Sequence, residues 1–106
     1  MGTAALRAIE SEKPAIVRIC FDPFARRFVD DSFYREVKLL TGLSNWITGG
    51  GSAFVVCRSR YIDDYLQECL RAGTRQLVIL GAGLDSRAYR GDLLEGELKV
   101  FEIDHP

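Results

Sequence analysis

The residues whose types and spacing could do chemistry cluster late in the chain, in "LVILGAGLDSR" (77–87) and "VFEIDHP" (100–106). An apolar run breaks into Gly81, Ala82 and Gly83, and Asp85 follows two positions on. Glycines at 81 and 83 permit a tight turn and close approach of backbone to a ligand at the carboxyl end of a strand. An acid at the end of the next strand, about 20 residues later, is placed to bind the two hydroxyls of an adenosine ribose. Asp104 stands there, and Glu102, on the same strand face, is the fallback. Strand, glycine turn and spaced acid together describe a site for an adenosine-containing cofactor.

Charge discriminates between such cofactors. A dinucleotide lays its pyrophosphate at a helix N-terminus, where amide N–H groups welcome anions. Asp85 would repel it, and Ser86 stands where the full fingerprint has its third glycine. S-adenosyl-L-methionine has no phosphate and brings an ammonium, a sulfonium and a carboxylate, so an acid in the loop is compatible with it. Asp85 has a plainer reading as the N-cap of the turn that follows, which does not exclude proximity to the ammonium. The ligand's carboxylate needs a cation. Arg58 lies four residues before Ile62 and seven before Tyr65, at the end of an apolar stripe, and is suited to bidentate carboxylate recognition. Its plain alternative is a snorkelling surface side chain. Arg60 lines up with Asp63 and Asp64 as a solvated ion-pair face.

The elements that must hold these residues follow from periodicity. "RQLVILG" reads as a buried parallel strand ended by glycine, and "LKVFEID" as a second strand. Before them, "CRSRYIDDYLQECLRAG" is a helix whose apolar stripe is Tyr61, Ile62, Tyr65, Leu66, Cys69 and Leu70, with Gly73 as its stop. A short helix is expected from about Ser86. Upstream, residues Ala4 to Lys13 read as a helix ending before Pro14. "FDPFARRFV" reads as a turn with Asp22 as N-cap and a short helix burying Phe24, Phe28 and Val29. "DSFYREVKLLTGL" is a further helix with Phe33, Val37 and Leu40 on one side, and Gly49 to Gly51 form a flexible connection. Trp46, beside Asn45, is either a hydrophobic anchor or a residue lining the acceptor side. Helices first, then strand, turn and strand, predict an α/β fold. An N-terminal helical cap region (1–52) leads into the first part of a cofactor-binding Rossmann-like domain (53–106), whose parallel sheet breaks off after its second strand.

Composition bounds what else is possible. The chain has 106 residues, 47% of them hydrophobic, and a formal net charge of −1, which gives no footprint for nucleic acid or an anionic membrane. Charges in the first turns leave no signal-peptide core, and no apolar run approaches a membrane span. Cys20, Cys57 and Cys69 have neither metal-ligand spacing nor a disulfide pattern, so a reduced cytoplasmic setting is the expectation. Nothing in the sequence fixes an oligomeric state. Two strands cannot cover both faces of a parallel sheet, so the expectation is an N-terminal part of a larger protein. His105 reads as a turn residue rather than a base.

"VILGAGLDSRAYR", "VFEIDHP" and "RSRYIDDYL" together resemble the leucine carboxyl methyltransferase family, and "ALRAIESEKP" and "ICFDPFARRFV" extend the likeness over nearly the whole chain. The resemblance is closer to a branch of S-adenosylmethionine-dependent methyltransferases in bacteria and related organisms. It implies a class I methyltransferase fold, an extra N-terminal helical segment, and cofactor contacts at positions matching Arg58, Gly81 and Asp104. It also implies a basic contact in the N-terminal helix, for which Lys13 is the nearest match and a solvated lysine the plain reading. The expected reaction is methyl transfer to an oxygen of a small-molecule or carboxylate-bearing acceptor. A nicotinamide-dependent oxidoreductase fragment and a non-catalytic remnant are the competing readings.

Overall fold

The computed structural model describes residues 1–47, 50–91, 93, 94 and 98–105, and their side chains except those of 44–47. Trp46 and Asn45, weighed above for the acceptor side, have side chains outside the described residues.

Helix α1 (Gly2–Ser11) is rich in alanine, the strongest helix former. It begins and ends two residues earlier than the sequence predicts. Ser11 closes it, its hydroxyl donating to the Arg7 carbonyl at 2.7 Å and accepting from the Asp22 amide at 2.8 Å. Asp22 performs the predicted capping: one carboxylate oxygen accepts from the amides of Phe24 and Ala25, opening a 3-10 helix at Ala25–Phe28. Helix α2 (Asp31–Ile47) starts behind a second aspartate cap, Asp30, which accepts from the amides of Ser32 and Phe33. Helix α3 (Gly51–Arg71) is longer than predicted, absorbing Gly51 of the glycine run. It ends in a Schellman turn at Gly73, with the Gly73 amide on Leu70 and the Thr74 amide on Cys69.

The α/β expectation is met. After the helices come β1 (Gln76–Leu80) and β2 (Lys99–Ile103), paired in parallel from Gln76↔Lys99 to Leu80↔Ile103. Between them lies a second 3-10 helix, Arg87–Tyr89.

The main core is built on small residues. Ala4, Ala5 and Ala8 of α1 pack with Ala25, Val29 and Tyr34, and Ile9, Phe33, Val37 and Leu84 close over them. Side chains this short let α1 approach the other helices closely. Of the predicted Phe24, Phe28 and Val29 stripe, only Val29 is buried, Ala25 taking the innermost place, while Leu40 of α2 is exposed.

Two expectations about faces are corrected. The buried stripe of α3 is Val56, Ser59, Asp63 and Leu66, so Tyr61, Ile62 and Tyr65 face outward and only Leu66 of the predicted set is buried. The reason is what covers the helix: α1 and the segment after β1 lie against the face that carries Ser59 and Asp63. β1 is likewise not a buried strand. Val78 and Leu80, with Phe101 and Ile103 of β2, are exposed, because a two-stranded sheet has no layer on its outer side. The radius of gyration, 14.7 Å, exceeds the roughly 13 Å of a compact chain this long, in keeping with the uncovered sheet.

Candidate cofactor site

The site is built at the carboxyl ends of the two strands. The amides of Gly81 and Ala82 both donate to the Ile103 carbonyl, at 2.7 and 3.3 Å, carrying the ladder one step past β1. Gly81 and Gly83 then take left-handed φ of +65° and +52°, where a side chain would be strained. A Cβ at Gly81 would meet nothing within 4 Å, so open space lies over the turn. Asp104 is drawn over it: one oxygen accepts from the Gly83 amide at 2.5 Å and the other from the His105 amide at 2.8 Å. Each carboxylate oxygen keeps a further lone pair for a ligand hydroxyl. The structure thus brings Gly81, Ala82, Gly83 and Asp104 into one place. Glu102, the fallback acid, instead accepts from the Tyr89 hydroxyl at 3.2 Å.

Asp85 points elsewhere. Its carboxylate accepts from the Arg87 backbone amide at 2.9 Å and from the Arg87 guanidinium at 2.6 Å. That is the capping role weighed for it, reinforced by an ion pair. Neutralisation by Arg87 also weakens the argument that a free acid in this loop repels pyrophosphate. The choice of cofactor must rest on other ground.

Arg87 is the hub of a buried network that the sequence did not reveal. Its Nε pairs with Asp63 at 2.8 Å and its Nη2 donates to the Ser59 carbonyl at 3.2 Å. Asp63 also receives Arg90 at 2.7 Å. Two carboxylates, Asp63 and Asp85, thereby balance two guanidiniums in a region where an unpaired charge would be costly. Asp63 is therefore not part of the solvated Arg60 face: among the described residues Arg60 forms its ion pair with Asp64, at 2.8 Å, in the open. The available signal was the spacing 56, 59, 63 and 66, a helical stripe with a charge inside it.

A second buried pair reaches the same loop from the N-terminal helix. Arg7 Nε sits 2.9 Å from Asp22, and Arg7 Nη2 donates to the Leu84 carbonyl at 2.6 Å, across 77 positions of sequence. Burial alone would raise the Asp22 carboxyl, but hydrogen bonds from Ser86 and Arg7 outweigh it and hold the group below its ordinary value. Cys20, close by, shows the opposite: burial, then the negative Glu10, pushes its thiol up to about 11.

Arg58 stands exposed on α3, immediately before Ser59, whose carbonyl holds Arg87. Lys13 is engaged with Glu10 at 2.7 Å. Among the described residues no helix is long and apolar enough to cross a membrane.

The sequence model of one family, described as leucine carboxyl methyltransferase, matches residues 1–106. A "Putative S-adenosyl-L-methionine-dependent methyltransferase" of Streptomyces avermitilis is 36% identical over 118 residues, covering 98% of this chain and 37% of its own length. Proteins given the same description are 35% identical in Streptomyces coelicolor and 36% identical in Mycobacterium tuberculosis, each covering all of this chain. The chain therefore spans somewhat over a third of these relatives, 37 to 38% of their length. By the match along its whole length, the chain belongs to the leucine carboxyl methyltransferase family.

Proposed function

We propose that this chain carries the cofactor-binding part of an S-adenosyl-L-methionine-dependent methyltransferase acting on an oxygen nucleophile. The observation that carries the reading is Asp104 held over the left-handed Gly81–Gly83 turn at the ends of two parallel strands. The open space at Gly81 fits a ligand lying on that backbone, and the family and its relatives favour the phosphate-free cofactor. When bound, that cofactor supplies a sulfonium-activated methyl group, already electrophilic.

In this reading the chain's own groups bind and orient. Asp104 accepts the two ribose hydroxyls, Gly81, Ala82 and Gly83 present their backbone to the amino-acid end, and Arg58 pairs with the carboxylate. Such placement supplies most of the rate, because alignment of nucleophile, methyl carbon and sulfur is the main requirement. A carboxylate-bearing or other small acceptor is the substrate class; a carboxylate needs no general base. In the same reading residues 1–52 are a helical cap region, residues 53–106 the first part of the cofactor-binding domain, and the setting is the reduced cytosol.

Calorimetric titration of the protein with S-adenosyl-L-methionine and with NAD tests the reading. Binding of the former and silence with the latter is the expected result, with Asp104→Ala abolishing or greatly weakening the heat. Tighter binding of NAD would overturn it.

A further inference from the structure

We propose that Arg7 and Arg87 are positioning residues for the cofactor loop, acting through Leu84 and Asp85 rather than on the ligand. The proposal rests on the cofactor reading above. Only Leu84 and Asp85 separate Gly83 from Ser86, and each is gripped by a different guanidinium. Arg7 comes from α1 and takes the Leu84 carbonyl, while the Leu84 side chain packs on the alanine core of the same helix. Its other end is fixed by Asp22, itself held by amides of the following turn. Arg87, two residues beyond Asp85, ties it to α3 through Asp63 and the Ser59 carbonyl.

The consequence falls on Gly83, next in line. Its amide is bonded to Asp104, so a shift of the Leu84 or Asp85 peptide is passed to the donor that ties the ribose acid to the turn, while the His105 amide holds the other oxygen. A site that binds through backbone needs its atoms held to a fraction of an ångström. Apolar residues would hold the fold as well as these buried charges do. What a guanidinium adds is reach in several directions within one plane, and both arginines use it, Arg7 joining Asp22 to the Leu84 carbonyl and Arg87 joining Asp85 to α3. Lysine keeps the charge and loses that span.

The test compares wild type, Arg7→Lys, Arg87→Lys and the core variant Val56→Ala, which lowers stability at a buried α3 residue outside the alanine cluster on which Leu84 packs. Calorimetry with S-adenosyl-L-methionine well below the melting temperature should show each lysine variant weakened about tenfold or more, and Val56→Ala within about twofold of wild type. Hydrogen exchange of residues 81–87, read without ligand, should quicken about tenfold in the lysine variants and not in Val56→Ala. Wild-type exchange in both lysine variants, or equal weakening by Val56→Ala, would overturn the proposal. A wild-type protein that ignores the cofactor would sink the parent reading alone, since exchange still decides whether the arginines hold the loop.

Discussion

Removing the carboxylate of Asp63 is the sharpest available perturbation of this molecule. Asp63 is 8% exposed and receives Arg87 at 2.8 Å and Arg90 at 2.7 Å, from residues 24 and 27 positions further on. At an effective dielectric near 20, one such pair is worth about 4 kcal/mol of attraction at 4 Å, before desolvation is set against it. In Asp63→Asn the two guanidiniums stay buried and lose their shared anion. Arg87 keeps Asp85, so its loss is partial, and the amide oxygen of asparagine still accepts one hydrogen bond. The balance falls at the low end of what breaking a buried pair costs, about 3 kcal/mol. Against a total stability of about 5–15 kcal/mol that is a severe change. Urea denaturation followed by circular dichroism should show the midpoint falling by about 1–3 M at unchanged slope. The double variant Asp63→Asn/Arg90→Met should recover part of the loss, because it removes a buried cation along with the anion it faces. A loss below about 1 kcal/mol for Asp63→Asn would refute the reasoning, since that is what a solvated surface pair is worth.

Three further outcomes are expected. The Asp22 carboxyl is lowered in the folded state, so its contribution is present above the ordinary aspartate value near 3.9 and is lost as pH falls through the folded value. Asp22→Asn should therefore flatten the acid limb of a stability–pH profile, and an unchanged limb would count against the Arg7–Asp22 clamp. Alkylation by iodoacetamide at pH 8, read by mass spectrometry, should label the exposed Cys57 well before Cys20, whose thiol stays protonated at that pH; equal rates would contradict the burial of Cys20. Arg58→Ala should weaken S-adenosyl-L-methionine binding measured by calorimetry, whereas Arg60→Ala, which removes only the open pair with Asp64 and a contact to the Ile19 carbonyl, should leave it within about twofold. Equal losses at both positions would show that Arg58 is not the selective partner.

The parts of the candidate site that follow a known strand-and-turn spacing were legible. A strand, a glycine turn and an acid at the next strand's end have one economical arrangement, and Gly81, Gly83 and Asp104 take it. The face of α3 was not legible. Periodicity gives Tyr61, Ile62 and Tyr65 a common side but cannot say which side a neighbour covers, and here the covered side carries Ser59 and Asp63. Asp63 looked solvated because it was read against Arg60, one turn before it on the same helix, whereas its partners arrive from beyond β1. Arg7 was invisible for the same reason, on a larger scale. For Asp85 the sequence offered a cap and, compatible with it, a ligand contact; the cap bond to the Arg87 amide was legible, and the guanidinium of Arg87 beside it was not.

The bond from Arg7 to Leu84 also bears on the order in which the chain can fold. It closes a loop of 77 positions in a chain of 106, so it forms against a large loss of chain entropy and belongs among the last contacts made. Helices α1, α2 and α3 can assemble from nearer partners while the Gly81–Asp85 turn is still unfixed. On a ribosome, α1 emerges first and has to wait for more than 70 further residues before its arginine finds the carbonyl it holds. The Gly81–Asp85 turn is thus completed by two segments 77 positions apart, and neither can fix it alone.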